Sequence, residues 1–205
     1  YGDHPGLPKI EDRIGTPLSP YAITKYANEL YAENFASIYG IEIIGLRYFN
    51  VFGPSQDPKG AYAAVVPKWI DAMKNGKTIY INGDGKTSRD FCYVKNAVQA
   101  NLLASTCKKS ISINQVYNVA VGEKTSLNSL FQLIQDEFLN LDPKFKKVTP
   151  VYRDFRAGDI KHSLADISKA SRHFNYQPTH KIAEGIQNNI APPFLSNFIK
   201  KLNSF

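Results

Sequence analysis

The stretch SPYAITKYANELYAENFASIYGIEIIGLRYF (residues 19–49) decides the fold, because it carries the signals for one helix followed directly by one strand. It opens on a serine, whose hydroxyl can cap a helix, and on a proline, which suits the first helical position. Good helix formers fill residues 21–39, and Gly40 is typical of the position just after a helix. The mostly apolar, β-rich run 41–49 predicts a parallel strand that is buried on both faces.

The rest of the chain continues this alternation of helical and extended segments. The predicted helices cover residues 66–75, 94–107, 126–139, 166–174 and 183–189, and the predicted strands cover residues 78–81, 115–120 and 148–152. The run Asn82-Gly83-Asp84-Gly85 is a strong turn signal. Strands that alternate with helices are typical of an α/β fold with a parallel sheet.

Composition and charge narrow the class of protein. The 205 residues are 43% hydrophobic and 21% charged, which is typical of a globular chain and excludes disorder. No apolar run reaches the roughly 18 residues of a membrane span, so a transmembrane enzyme is excluded. The formal net charge is +7, but the basic residues are dispersed along the chain. We therefore expect an anionic small molecule as the ligand rather than nucleic acid or a membrane.

Cysteine and histidine usage argues against a metal site. Cys92 and Cys107 form neither a disulfide framework nor a metal-binding spacing, and the four histidines are scattered. No secretory segment is visible, so a cytoplasmic location is expected. The chain opens on Tyr1 rather than on methionine, and we expect it to be part of a longer protein.

Tyr21 and Lys25 form a candidate acid/base pair. Their spacing of four residues places the phenol and the ammonium group on one face of the predicted helix, one turn apart. A nearby cation stabilises a phenolate, so the pair could move a proton near neutral pH. Tyrosine and lysine also meet in this way by chance in many helices, and an exposed pair without chemistry is the alternative.

Six motifs place this pair in a wider context. In chain order they are SPYAITK (19–25), RYFNVFGP (47–54), YINGDG (80–85), TSRDF (87–91), YNVA (117–120) and RAGD (156–159). Together they nearly span the chain, and they resemble the extended short-chain dehydrogenase/reductase family of sugar-nucleotide enzymes. Within that family the resemblance is greatest to bacterial UDP-N-acetylglucosamine 4-epimerases.

The resemblance implies a fold and a division into domains. It implies the C-terminal part of a Rossmann-type doubly wound parallel sheet together with a smaller α/β substrate-binding domain. Residues 1–55 and 90–121 would form the partial dinucleotide-binding domain, and residues 56–89 and 122–205 would bind the UDP-sugar. The family's glycine-rich loop and its catalytic serine or threonine are expected before Tyr1.

NAD is the cofactor that the resemblance implies. Tyr21 matches the family's catalytic base and Lys25 the lysine that orients the nicotinamide ribose, so both would also bind the cofactor. Phe49 matches a nicotinamide-side contact, although an aromatic residue that ends an apolar strand is often part of the core.

Two arginines are expected to bind the diphosphate of the substrate. A guanidinium presents paired donors to phosphate oxygens, and Arg89 and Arg156 match the family's diphosphate ligands. Asp159 matches an acid beside the ribose, and Ser163 falls where the family has either a tyrosine or a small residue beside the sugar C2. The remaining substrate positions that the resemblance implies are Asn50, Ala64, Val65, Trp69, Tyr80 and Asn82. Core packing is the alternative for Trp69, and a polar turn residue is the alternative for Asn50.

These matches predict an NAD-dependent 4-epimerase that interconverts UDP-N-acetylglucosamine and UDP-N-acetylgalactosamine through a 4-keto intermediate, for surface polysaccharide synthesis. Two alternatives stay open: a sugar-nucleotide 4,6-dehydratase, and an inactive truncated chain that binds UDP-sugars. A homodimer is also expected. The predicted helix 21–39 carries more apolar side chains than one buried stripe requires.

Overall fold

The computed structural model describes residues 1–60, 64–155 and 160–191. The helices are α1 (Pro20–Tyr39), α2 (Val65–Lys74), α3 (Val94–Thr106), α4 (Leu127–Leu141) and α5 (Ser168–Phe174), with a 3₁₀ turn at Ser110–Ser112 and a further helical segment at 182–191. The strands are β1 (Ile44–Tyr48), β2 (Val51–Phe52), β3 (Tyr80–Asn82), β4 (Ser88–Arg89), β5 (Cys92–Tyr93), β6 (Gln115–Val119), β7 (Thr125–Ser126) and β8 (Val151–Arg153). None of the helices in these ranges combines the length and the apolar character that a membrane crossing requires. This element order confirms the predicted α/β class.

Helix α1 begins and ends where the local signals predict. The Ser19 hydroxyl oxygen accepts a hydrogen bond of 3.1 Å from the backbone N–H of Ala22. At the other end, Gly40 adopts a left-handed conformation (φ 65°) and its N–H donates to the Ala36 carbonyl. Both ends are therefore set by residues inside the stretch 19–40, without help from distant contacts.

Strand β1 is parallel as predicted, but the prediction that it is buried on both faces is wrong. It pairs with β6 from Ile44 opposite Gln115 to Tyr48 opposite Val119. Its side chains are only half-buried or, at Tyr48, exposed. Among the described residues β6 is the one strand that pairs with β1, so its apolar side chains are covered only in part.

The chain divides into two compact units. Unit 1 consists of Tyr1–Val51, Asp90–Lys124 and Ser163–Thr179, and unit 2 consists of Phe52–Arg89, Thr125–His162 and the described residues from His180. Residues 163–179 belong to unit 1 although they lie far along the chain from its other segments. The reason is that Phe174 and Tyr176 pack into the core of unit 1.

The core of unit 1 lies around β6, α3 and α5. Tyr117 is fully buried there and meets the Phe174 ring edge-to-face, with 4.8 Å between ring centroids. The buried hydroxyl of Tyr176 donates a hydrogen bond of 2.8 Å to the Ala120 carbonyl. The full cluster consists of Cys92, Ala97, Ala100, Tyr117, Val119, Ala170, Phe174 and Tyr176.

Unit 2 combines two short strand pairs with packed helices. Strand β3 is parallel to β8, and β4 is antiparallel to β7. The predicted turn after β3 is present, with positive φ at Gly83 (74°) and Gly85 (72°). The positive φ at Gly85 favours glycine, and a Cβ atom there would also lie 1.9 Å from the Asn128 side-chain oxygen, so that side chain would have to move.

Candidate active site

Tyr21 and Lys25 lie on one face of α1, in its first two turns. The Lys25 Nζ atom is 5.3 Å from the centroid of the Tyr21 ring. Tyr21 is 61% exposed and Lys25 is also exposed, so both polar groups are accessible to a ligand. The Ser19 cap sets the start of the helix, and it therefore sets the positions of Tyr21 and Lys25 along the helix axis. This arrangement places a proton-carrying phenol beside an ammonium group.

Phe49 and Asn50 follow the carboxyl end of β1. Phe49 is only 8% exposed, and its ring packs against Tyr1, at 5.8 Å between centroids, and against Ala120 and Ala165. Asn50 is exposed, and its carbonyl accepts a hydrogen bond from the Cys92 N–H. Asn50 therefore lies where parallel sheets bind ligands, whereas most of the Phe49 ring is covered by the protein itself.

Arg47 connects β1 to α1, a role that the sequence analysis missed. Its guanidinium makes two hydrogen bonds of 2.7 Å to the Glu29 carboxylate and one of 2.9 Å to the Glu11 carbonyl. It also lies 4.9 Å from the centroid of the Tyr1 ring. A paired, half-buried arginine of this kind holds the helix that carries Tyr21 against the strand. The available signal was a basic residue in the middle of a mostly apolar predicted strand.

Asp90 is a second residue that the sequence analysis missed. It is fully buried, and its carboxylate accepts backbone hydrogen bonds from Val121 (2.9 Å), Gly122 (3.0 Å) and Ala165 (3.3 Å). Burial raises the pKa of this carboxyl to about 6, although the three N–H donors oppose the change. Asp90 therefore ties the segment after β6 to the segment that follows Ser163. Its place in the TSRDF motif was the signal.

Trp69 belongs to the core of unit 2. It is 5% exposed and meets the Phe131 ring edge-on, with 6.1 Å between centroids, where α2 packs against α4. This packing agrees with the alternative interpretation of Trp69. Ala64 and Val65 are half-buried at the start of α2, where no side chain caps the helix. Backbone groups at such a start can bind an anionic or polar ligand.

Tyr80 and Asn82 lie on β3, and Asn82 lines an open groove of about 670 Å³. The groove is lined by Asn82 and by three residues of the β8 region, Tyr152, Arg153 and Asp154. The Arg153 guanidinium lies over the Tyr80 ring, 3.2 Å from its centroid. The groove thus offers an amide, two charged groups and an aromatic wall, which suits a polar planar ligand.

Arg89 ends strand β4 in unit 2, and Ser163 begins the last segment of unit 1. The Nη1 atom of Arg89 donates to the carbonyls of Ser88 (2.9 Å) and Lys161 (3.4 Å). Ser163 is half-buried and follows His162 directly. The predicted ligands Arg156 and Asp159 lie outside the described residues. Unit 1 thus carries Tyr21, Lys25, Phe49, Asn50 and Ser163, and unit 2 carries Ala64, Val65, Trp69, Tyr80, Asn82 and Arg89.

Comparison with known proteins gives a consistent result. Residues 1–120 match the model of the NAD dependent epimerase/dehydratase family. A putative UDP-glucose 4-epimerase of Methanocaldococcus jannaschii is 37% identical over 91% of this chain. Two solved structures are similar over nearly the whole chain. The UDP-glucose 4-epimerase of Thermotoga maritima is 37% identical over 96% of the chain with a TM-score of 0.82. The UDP-N-acetylglucosamine 4-epimerase of Methanobrevibacter ruminantium, solved with UDP-N-acetylmuramic acid, is 40% identical over 98% with a TM-score of 0.84.

The chain is shorter than these relatives. It spans 57% of the length of the Methanocaldococcus protein and 59% and 60% of the two solved chains. Within that span the TM-scores confirm the predicted fold class, the Rossmann-type α/β architecture of these epimerases.

Proposed function

The chain belongs to the NAD-dependent epimerase/dehydratase family, and from this premise we propose that the protein is an NAD-dependent 4-epimerase of UDP-sugars. The observation that carries the proposal is the Tyr21–Lys25 pair, with the lysine Nζ 5.3 Å from the phenol ring at the exposed start of α1. An epimerase needs one group that takes the proton of the sugar 4-hydroxyl and later gives it back. A tyrosine beside a lysine ammonium group is suited to both steps.

Each residue of the pair has a separate part in the reaction. The Tyr21 phenolate oxygen takes the proton from the 4-hydroxyl as the sugar is oxidised to a 4-keto sugar, and it returns that proton when the sugar is reduced. The Lys25 ammonium stabilises the phenolate and donates hydrogen bonds to the nicotinamide ribose. Bound NAD would supply the hydride chemistry at C4, the oxidation and the later reduction. Tyr21 and Lys25 are exposed and can contact the cofactor, which fits the residues to NAD. Phe49 is buried and offers little ring surface to the nicotinamide.

Unit 2 would hold the nucleotide. Asn82 lines an open groove with an aromatic wall and polar donors, which supports its assignment to the uridine. Tyr80, on the same strand and stacked against Arg153, is proposed as a further uridine contact on the resemblance alone. The Arg89 guanidinium is anchored through Nη1, which supports its assignment to the diphosphate. Ala64 and Val65 would add contacts on the same ligand. Asn50, Arg156 and Asp159 stay substrate positions that the resemblance alone implies.

Ser163 is the basis for the choice of sugar. The relatives do not decide which sugar is the substrate, because one solved structure is a UDP-glucose epimerase and another a UDP-N-acetylglucosamine epimerase. The resemblance places Ser163 beside C2, where a tyrosine would fill the space of an acetamido group. A serine leaves that space open, so we propose UDP-N-acetylglucosamine and UDP-N-acetylgalactosamine as the preferred pair, as precursors of a surface polysaccharide.

Helix α1 supports a homodimer. Within Pro20–Tyr39, all of which the structure describes, Ala36 is the one buried residue. Leu30, Tyr31, Phe35 and Ile38 are exposed, and an apolar surface of this kind marks a contact with another protein surface. We assign a second copy of the chain as the partner on this face.

The direct test is conversion of the substrate. The complete protein with NAD should convert UDP-N-acetylglucosamine to UDP-N-acetylgalactosamine, followed by proton NMR of the anomeric signals, with the Tyr21→Phe protein as the matched control. A 4-keto-6-deoxy product would instead identify a dehydratase. No turnover of any UDP-sugar by the complete protein would contradict the proposal.

A further inference from the structure

Strand β4 is tied to residues 161 and 162 by several hydrogen bonds in unit 2. The Ser88 N–H donates to the Lys161 carbonyl at 3.0 Å, and Ser88 and His162 form a parallel β-bridge. The same Lys161 carbonyl accepts the bond of 3.4 Å from Arg89 Nη1. The orientation of the Arg89 guanidinium therefore depends on where residues 161 and 162 lie relative to β4.

The Ser88 side chain adds a bond that the backbone bridge does not supply. Its hydroxyl oxygen lies 2.9 Å from Nδ1 of His162, and Ser88 is only 5% exposed. A buried hydroxyl has little access to water as an alternative partner, so breaking this hydrogen bond would be costly. The bond therefore holds Ser88 and His162 together. His162 is itself exposed, so packing around its ring does not explain the contact.

We infer that Ser88 and His162 are positioning residues that hold the Arg89 guanidinium ready for the diphosphate of a UDP-sugar. The inference rests on the proposed function, since it takes Arg89 as a diphosphate ligand. A guanidinium carries five N–H donors on three nitrogens, so anchoring at Nη1 orients the whole plane. A long side chain that is ordered before binding loses less entropy when the ligand arrives. Ser88 and His162 thus act on the nucleotide through Arg89.

The consequence is a selective effect on nucleotide affinity. Loss of one neutral hydrogen bond has a modest net cost, so Ser88→Ala and His162→Ala should each weaken UDP binding about 3- to 10-fold. The turnover number at saturating UDP-sugar should stay within about twofold, because the Tyr21–Lys25 pair is untouched. His162→Asn should restore wild-type affinity, since an asparagine amide can share a hydrogen bond with the Ser88 hydroxyl in either direction.

The experiment is isothermal titration of the complete protein with UDP, alongside KM, the turnover number and the unfolding midpoint of each variant. Ser112→Ala is the matched control, because Ser112 is also buried and its hydroxyl donates to the His173 carbonyl in unit 1. This variant should keep UDP affinity. In the Ser88→Ala/His162→Ala double variant the loss should equal that of either single variant, because both remove one bond.

Two results would overturn the inference: unchanged UDP affinity in both single variants, or losses that add in the double variant. Arg89→Ala separates this failure from a failure of the proposed function. If Arg89→Ala weakens UDP binding while Ser88→Ala does not, the positioning role alone is wrong. If Arg89→Ala also leaves the affinity unchanged, the diphosphate assignment is wrong and the positioning role falls with it.

Discussion

Asp90 makes the stability of this protein depend on pH in an unusual direction. Burial raises the pKa of its carboxyl from 3.8 to about 6 in the folded state. The folded protein therefore holds this proton more tightly than the unfolded chain does. Asp90 contributes stability that is fully present below pH 3.8 and is lost as the pH rises through about 6. The difference between the two pKa values corresponds to about 3 kcal/mol of unfolding free energy. Between pH 7 and pH 4 the free energy of unfolding should rise by about 2 kcal/mol of this amount.

Replacing Asp90 by asparagine isolates this contribution. One carboxylate oxygen accepts from Val121 and the other from Gly122 and Ala165, so the amide nitrogen of asparagine would face at least one N–H donor. The variant should therefore be less stable than the wild type at pH 4. It cannot gain a proton, so its loss of stability relative to the wild type should be about 2 kcal/mol larger at pH 4 than at pH 7.

The assay is urea unfolding of the complete protein, followed by circular dichroism from pH 4 to pH 8. Asp166→Asn is a matched control, because Asp166 accepts the Ser168 N–H at 2.8 Å and asparagine can replace it in that role. The hydrogen bonds from Ser168 lower the pKa of Asp166, so any dependence of this variant on pH should run in the direction opposite to that of Asp90→Asn. A difference between wild type and Asp90→Asn that is the same at pH 4 and pH 7 would refute the account of a buried, proton-binding carboxylate.

Three further predictions concern the proposed function. Tyr21→Phe should lower turnover by about 10²–10⁴ while UDP affinity stays nearly unchanged, and turnover within a few-fold of wild type would remove Tyr21 as the base. Ser163→Tyr should abolish conversion of the N-acetylated pair and spare UDP-glucose and UDP-galactose. An unchanged ratio of the two kcat/KM values, to within about tenfold, would show that Ser163 does not select the sugar. Phe35→Glu on α1 should convert the dimer to a monomer in sedimentation at micromolar concentration, and a wild-type protein that is already monomeric would count against the dimer.

The sequence alone determined the local structure and the candidate pair. Helix α1 could be placed to within one residue because Ser19 and Pro20 mark its start and Gly40 marks its end. The spacing of Tyr21 and Lys25 on one helical face follows from the 3.6-residue period, which needs no tertiary information. The turn at Gly83 and Gly85 was predicted for the same reason, since glycine tolerates positive φ wherever the rest of the chain lies.

Tertiary structure alone decided burial and long-range polar contacts. The sequence could not show that β1 is only half-buried, or that Phe49 and Trp69 are largely covered, because burial depends on which elements pack on each face. The partners of Asp90 lie 31 to 75 residues away, and those of Arg47 and Ser88 are also distant in the chain. Hydrogen bonds between residues so far apart have no local signal, because they form only when the fold brings donor and acceptor within about 3 Å.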